Sequence, residues 1–257
     1  MNKTTKSILL FFQLALSIFI TSMVCCKLSQ SGIAIHHILR DLNSSAMEMA
    51  MISIMIHALL ISIFGIVFYK VFGKATYPEV SFIMIAASLT VIMDLRVFFL
   101  VSGPLSLADS HTIQKSLYFL WLLSALLFFC SGLFHNGVAY LKQHFFFLIS
   151  LCTATLFVYL LPITTDDLML LHPRADDPIM IFIRLLELFA ILNYVIAALR
   201  NNNKTFYTIA FGLFLFIAGN EFFLIITSPL LLIAGTICLT AGSIILIRAF
   251  YLLHLWS

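Results

Sequence analysis

Residues 230–253 read LLLIAGTICLTAGSIILIRAFYLL, an apolar run of 24 residues in which Arg248 is the one charged side chain. An α-helix rises about 1.5 Å per residue, and the hydrocarbon core of a bilayer is roughly 30 Å thick, so about 20 apolar residues cross it. This run is therefore long enough to span a membrane as a helix.

Seven more runs of this kind occur upstream, at residues 7–26, 46–69, 78–101, 116–140, 143–161, 178–199 and 205–227. The chain is 62% hydrophobic and 10% charged, whereas a soluble domain has roughly 25% charged residues. The runs lack the strict alternation of β-barrel strands, and helices satisfy their own backbone polar groups in lipid. We therefore predict an all-α integral membrane protein, in which a bundle of about eight transmembrane helices forms a single transmembrane domain over residues 1–257.

The charges between the runs indicate which ends of the helices share a side. If the N-terminus is cytoplasmic, the cytoplasmic side carries seven basic residues against one acid, Glu79, and the opposite side carries four basic residues against seven acids. The seven basic residues are Lys3, Lys6, Lys70, Lys74, Lys142, Arg200 and Lys204. Because Lys and Arg concentrate in cytoplasmic loops, we predict a plasma-membrane protein, as in a bacterial inner membrane, with both termini cytoplasmic.

The first 24 residues allow two interpretations. Lys3 and Lys6 followed by an apolar stretch are also typical of a signal peptide. However, Gln13, Ser17 and Thr21 are spaced by four residues and form a polar stripe on one helix face. Such a stripe favours a helix that is retained and packs against its neighbours.

Two segments of the chain resemble each other without a gap. Residues 96–105 read RVFFLVSGPL and residues 221–230 read EFFLIITSPL, closing the third and seventh runs. This similarity predicts two tandem four-helix repeats in the same orientation, at residues 1–141 and 142–257. The alternative is that apolar segments rich in Phe and Leu resemble one another by composition alone.

Six ionisable residues lie inside the apolar runs, at Asp94, Arg96, Arg184, Glu187, Glu221 and Arg248. Each costs roughly 2.5–3.5 kcal/mol when it lies unpaired near the centre of a transmembrane helix, and three acids against three bases indicate that they pair. The predicted topology brings all but Arg248 to one depth, together with an amide. The candidate ligand-binding or structural ion-pair layer is thus Asp94, Arg96, Arg184, Glu187, Asn220 and Glu221.

Within this layer we expect a salt bridge between Arg96 and Glu221, which have opposite charge and equivalent positions in the repeat. Two interpretations of the layer compete. It fixes the order of the helices by ion pairing, or it lines a polar pocket open to the outside, since charges within membranes are often functional.

The function we expect is a receptor-like or sensory module that binds a small or amphiphilic ligand in this layer and signals through a membrane or cytoplasmic partner protein. The alternative is a small-solute transporter, since repeats and intramembrane charges also serve alternating access. An intramembrane enzyme is less favoured, because the equal number of arginines indicates neutralised carboxylates rather than poised acids.

No cofactor, metal or nucleic acid is expected. His57, one helical turn after Ser53, is interpreted as a hydrogen-bonded interior histidine rather than a haem ligand. The outer loop at residues 166–177 has four carboxylates and one imidazole, and is interpreted as a charged loop rather than a calcium site. The net charge is +3, but no stretch of basic residues is long enough to bind along a nucleic-acid backbone.

Glycines and alanines in the last two runs predict close packing of those two helices.

Overall fold

A computed structural model describes residues 3–30, 46–75, 77–98, 107–136, 143–160, 178–224 and 229–255. These residues form eight α-helices and no strand, so the predicted all-helical class is confirmed. Seven of the helices are long and apolar enough to cross a membrane, and α5 is a shorter apolar helix. The helices are α1 Lys3–Gln30, α2 Ala46–Phe72, α3 Pro78–Met93, α4 Leu107–Leu133, α5 Gln143–Leu160, α6 Pro178–Asn201, α7 Thr205–Leu224 and α8 Pro229–Leu255.

The bounds of α3 and α4 differ from those of the apolar runs. Helix α4 begins at Leu107, about two turns before the run predicted from 116, because hydropathy marks the part of a helix that lipid surrounds and not where the helix begins. Helix α3 begins with Pro78 in its first turn, where a missing N–H costs nothing. Its α-helical part ends at Met93, and a 3₁₀ turn follows at Asp94–Arg96.

Helices α7 and α8 form the closest pair, as the small residues predicted. A Cβ atom added at Gly242 would lie 2.5 Å from the backbone nitrogen of Phe216, and one at Gly219 would lie 2.6 Å from that of Leu239. These distances leave no room for a side chain at either glycine. The backbones approach because both helices present glycine at the crossing.

Contacts among the helices follow a partly symmetric scheme. Helix α3 packs on α4 as α7 packs on α8, α2 on α3 as α6 on α7, and α4 on α6 as α8 on α2. These pairs correspond when the two halves of the chain are exchanged. Helices α1 and α5 depart from the scheme, since α1 lies against α2 and α3 whereas α5 packs mainly against α4. The internal repeat itself stays a prediction.

Helix α1 is joined to the bundle by buried polar side chains. Gln13 donates to the carbonyl of Ile61 at 2.9 Å and accepts from the Ser88 hydroxyl at 3.1 Å. The Lys6 ammonium donates to the carbonyls of Phe72 and Ala75, near the C-terminal end of α2. Unsatisfied carbonyls at a helix end attract a cation. The polar stripe therefore packs into the protein, as its spacing predicted.

Two sets of contacts show which helix ends lie together. Lys6 places the beginning of α1 beside the end of α2. Glu79, at the beginning of α3, lies against His135 after the end of α4 and His254 near the end of α8. The beginnings of α1 and α3 thus lie beside the ends of even-numbered helices. The predicted topology, in which successive helices run in opposite directions, requires this arrangement. Which of the two faces is cytoplasmic stays a prediction.

The outer surface of the described bundle is apolar. Many large hydrophobic side chains point away from the protein, such as Phe11 at 75% exposed, Leu199 at 68% and Ile244 at 67%. Contiguous apolar surface of this kind is costly in water. Together with the helix lengths, it identifies a lipid bilayer as the surrounding medium.

Candidate functional site

The centre of the candidate site is a chain of three polar side chains from three helices. Asp94 opens the 3₁₀ turn that follows α3, and its Oδ2 atom lies 2.7 Å from Nδ1 of His57 on α2. The other ring nitrogen, Nε2, lies 2.9 Å from Oδ1 of Asn220 on α7. Asp94 and His57 are 1% and 4% exposed. Both nitrogens of His57 thus face oxygen atoms, an arrangement that a doubly protonated imidazole satisfies completely.

Arg96 lies two residues beyond Asp94 and is directed to a helix end. Its guanidinium donates to the carbonyl of Phe223 at 3.2 Å, and the Ser53 hydroxyl donates to the same oxygen at 3.4 Å. Phe223 is in the last turn of α7, where carbonyls lack helical partners and carry partial negative charge. The expected salt bridge between Arg96 and Glu221 is therefore wrong, because Arg96 caps the C-terminal end of α7 instead.

Glu221 pairs with Arg184 on the neighbouring helix α6. Both Nε and a terminal nitrogen of Arg184 lie 3.1 Å from one carboxylate oxygen of Glu221. Glu187 is one turn after Arg184, on the same face of α6. Among the described residues its carboxylate has no hydrogen bond and no ion pair within 4 Å. One guanidinium thus lies near two carboxylates.

These seven residues form what we call the polar layer: His57, Asp94, Arg96, Arg184, Glu187, Asn220 and Glu221. All six candidates from the sequence are in it, and His57 is an addition. Arg248 is exposed on α8 and lies outside the layer. The depth of His57 in its helix is the sequence signal that could have included it, since it falls about midway along α2.

A narrow cavity lies inside the polar layer. Its volume is about 20 Å³, enough for one water-sized group. Its lining includes all three carboxylates of the layer, together with side chains of α4 and α7, but neither arginine. The lining residues are His57, Thr90, Met93, Asp94, Trp121, Ser124, Phe128, Glu187, Asn220, Glu221 and Leu224.

A second polar group lies at the end of the bundle where α1 begins and α8 ends. Glu79 Oε1 is 3.2 Å from Nε2 of His254 and 3.7 Å from Nε2 of His135. The ring of Tyr77 stacks on His254 at 3.7 Å between centroids, and Phe206 packs against His135. We call Glu79, His135 and His254 the Glu79 cluster.

His135 follows α4 outside the membrane-spanning segment. Burial lowers the pKa of its imidazole below the ordinary value; Glu79 opposes this shift and His254 adds to it. In the sequence, Glu79 stands out only as the single acid among the basic residues of the predicted cytoplasmic side. The cluster was therefore not predicted. Three helices bring its members together from residues that are at least 56 positions apart.

Among the described residues, no group of three or more His, Cys, Asp or Glu side chains is arranged to hold a metal ion. The acidic loop at 166–177 lies outside the described residues. The five cysteines are free thiols. Comparison with known protein families, with curated proteins and with solved structures finds no match.

Proposed function

We propose that this protein is a receptor-like or sensory membrane module that binds a small ligand in the polar layer. The observation that carries the proposal is the cavity lined by Asp94, Glu187 and Glu221 inside a bundle of apolar helices. A layer that served ion pairing alone would be expected to close each acid against a base. Here Glu187 borders a space and has no ion pair among the described residues.

The size of the cavity limits what the layer binds. A volume of about 20 Å³ accepts a water-sized group. This supports a small polar ligand, or the polar head of a larger one, over a whole amphiphile buried among these helices. The 3₁₀ turn at Asp94–Arg96 interrupts the helical segment between α3 and the helical residues Val97 and Phe98, beside the cavity, and such interruptions often mark hinges. A hinge there would let occupancy of the cavity change the angle between α3 and these two residues.

The second candidate is a small-solute transporter, favoured by the same interruption of α3. Discontinuous helices at the membrane midplane form the substrate sites of many transporters. An intramembrane enzyme is less supported, because the Asn220 amide occupies the ring nitrogen of His57 opposite Asp94. In a catalytic arrangement that nitrogen would face a nucleophile or substrate.

The proposal includes a setting and a partner. The predicted topology puts both termini in the cytoplasm of a cell whose plasma membrane holds the protein, and the polar layer nearer the outside. A signal would then pass to a membrane or cytoplasmic protein that contacts the helices or their inner ends. Lipid surrounds the rest of the surface.

The test is a ligand screen on purified protein in lipid nanodiscs. Small polar solutes of each charge are added singly, and the thermal midpoint of unfolding is compared between the wild type and Glu187→Gln. A ligand of the layer raises the midpoint of the wild type more than that of the variant, by mass action. The proposal fails if no solute distinguishes the two proteins. Solute flux into liposomes holding the wild type would favour the transporter instead.

A further inference from the structure

The two hydroxyl groups that line the cavity both direct their protons away from it. Thr90 donates to the carbonyl of Ala87 at 2.7 Å, and Ser124 donates to the carbonyl of Ala86 at 3.3 Å. A hydroxyl that has used its single proton presents only lone pairs to other neighbours. Toward the cavity, therefore, Thr90 and Ser124 act as hydrogen-bond acceptors.

The remaining polar lining is also rich in acceptors. Asp94, Glu187 and Glu221 contribute carboxylate oxygens, which are acceptors when ionised. The His57 ring has its two nitrogens engaged by Asp94 and Asn220, so it offers no free donor. Apart from the N–H groups of Asn220 and Trp121, the polar side chains that line the cavity thus present acceptors, and a molecule inside it would fit best if it carried several donors.

The charge of the layer favours the same kind of occupant. Asp94, Glu187 and Glu221 are three acids, and Arg96 and Arg184 are two bases, both outside the cavity lining. Asp94 lies against the imidazole of His57 and Glu221 against Arg184, so Glu187 is the carboxylate that borders the cavity without an ion pair among the described residues. An unpaired carboxylate among apolar helices is costly, and one monovalent cation or one proton would remove that cost.

Size and the aromatic wall complete the match. An ammonium ion is close to water in size, so the volume of about 20 Å³ accommodates it. It has four N–H donors and no acceptor. The indole of Trp121 and the ring of Phe128 are part of the wall, and aromatic faces attract cations.

We propose that the cavity is a binding site for an ammonium-type cation, either free ammonium or the head of a small primary amine, with Glu187 as its charge partner and Thr90 and Ser124 as acceptors. This inference rests on the proposed function and names the chemical class of its ligand. The site lies between α2, α3, α4, α6 and α7, and its acceptors are in place before the cation enters.

The experiment uses the full chain in nanodiscs at pH 7. The chain has two tryptophans, and the background substitution Trp256→Phe leaves the emission of Trp121 as the signal. Ammonium chloride and methylammonium chloride are titrated at constant ionic strength, balanced with choline chloride, whose cation is too large for the cavity. Sodium chloride is a separate arm for a cation without N–H donors.

Ammonium and methylammonium are expected to change the emission of Trp121 saturably, and sodium is expected to bind more weakly. Glu187→Gln is expected to weaken ammonium binding about 10- to 100-fold, since it removes a charged hydrogen-bond partner. Glu48→Gln is the matched control, because Glu48 is an acid of α2 that does not line the cavity, and it should bind as the background does. Thr90→Val provides a second variant, expected to weaken binding several-fold, if Glu187→Gln fails to fold.

Three results would overturn the inference: no saturable response to either amine, an equal response to sodium, or unchanged affinity in both cavity variants. If a neutral or anionic solute stabilises the wild type over Glu187→Gln while ammonium has no effect, this inference is wrong and the proposed function stands. If no solute of any charge acts, both are wrong.

Discussion

The polar layer and the Glu79 cluster both hold carboxylates beside imidazoles, but they differ in how their acids are partnered and in how the space around them is filled. In the Glu79 cluster one carboxylate lies between two imidazoles, and aromatic rings fill the surroundings. In the polar layer three carboxylates accompany two guanidiniums and one imidazole and border a cavity, and Glu187 has no ion pair among the described residues. A group whose acid has partners and whose surroundings are filled fastens helices together. A carboxylate without a partner, beside a cavity, can bind something.

The same contrast appears where each region meets a helix end. Arg96 donates to the last turn of α7 beside the polar layer, and Lys6 donates to the end of α2 near the other face of the bundle. Both cations neutralise the partial negative charge of a helix C-terminus. Because Arg96 points to the end of α7, its guanidinium makes no ion pair with Glu221 or Glu187. Glu187 is thus the acid of the polar layer that has no ion pair among the described residues.

The largest effect is expected when the ion pair of the polar layer is broken on one side. Arg184→Leu leaves Glu221 without its partner in apolar surroundings, and should lower the free energy of unfolding by about 3 kcal/mol. The double variant Arg184→Leu/Glu221→Leu should recover most of the loss, because position 221 then no longer carries a charge that has lost its partner. Denaturation in mixed micelles with increasing SDS measures both. Equal losses in the single and double variants would show that the two side chains are not coupled.

A smaller effect is expected from acid on the Glu79 cluster. Burial holds the pKa of His135 below its ordinary value, so the unfolded chain binds more protons as the pH falls. The stability that neutral His135 contributes is complete above the ordinary histidine pKa and is lost as the pH falls through the lower folded value. For one proton, the free energy of unfolding can change by at most about 1.4 kcal/mol per pH unit.

The measurement is the unfolding midpoint as a function of pH. His135→Phe should flatten the acid side of the curve, whereas His111→Gln, a change outside the cluster, should leave it as in the wild type. If the unfolding midpoint of His135→Phe depends on pH as that of the wild type does, another group causes the loss of stability in acid. The Glu79 cluster would then not be the more pH-sensitive of the two regions.

The smallest effect on stability is expected at the cavity hydroxyls. Thr90→Val and Ser124→Ala remove bonds to carbonyls within α3, which keep their helical partners, so each should change the free energy of unfolding by less than about 1 kcal/mol. Their effect on ammonium affinity should be clear, because each deletes an acceptor. A loss of stability as large as that of Arg184→Leu would mean that these hydroxyls serve packing, and the contrast between the two regions would disappear.

Much of the fold could be predicted from the sequence, because lipid imposes simple constraints. The apolar runs gave all eight helices, and the glycines at 219 and 242 gave the close packing of α7 on α8. The stripe through Gln13 and Ser17 gave the buried face of α1. In each case the property that decides the structure is local, either the length of an apolar segment or the spacing of residues along one helix face.

The partners within the polar layer could not be predicted in the same way. Spacing places Asp94 and Arg96 on different sides of a helix predicted over residues 78–101, but it does not say which neighbouring helix meets each side. The 3₁₀ turn, the approach of α2 and the end of α7 decide that Asp94 binds His57 and that Arg96 binds a carbonyl. The reasoning from the repeat paired Arg96 with Glu221 because it considered side-chain charges and not helix ends.

The sequence by itself determined a helical membrane protein, and it predicted that six ionisable or amide residues lie at one depth, since both follow from hydropathy and the rise of a helix. The tertiary structure alone decided that His57 joins them, that Glu187 borders a cavity without an ion pair among the described residues, and that Glu79 meets two histidines. Such contacts depend on the rotation and crossing of helices, which are set by side-chain packing across the whole bundle and have no signature in any single segment.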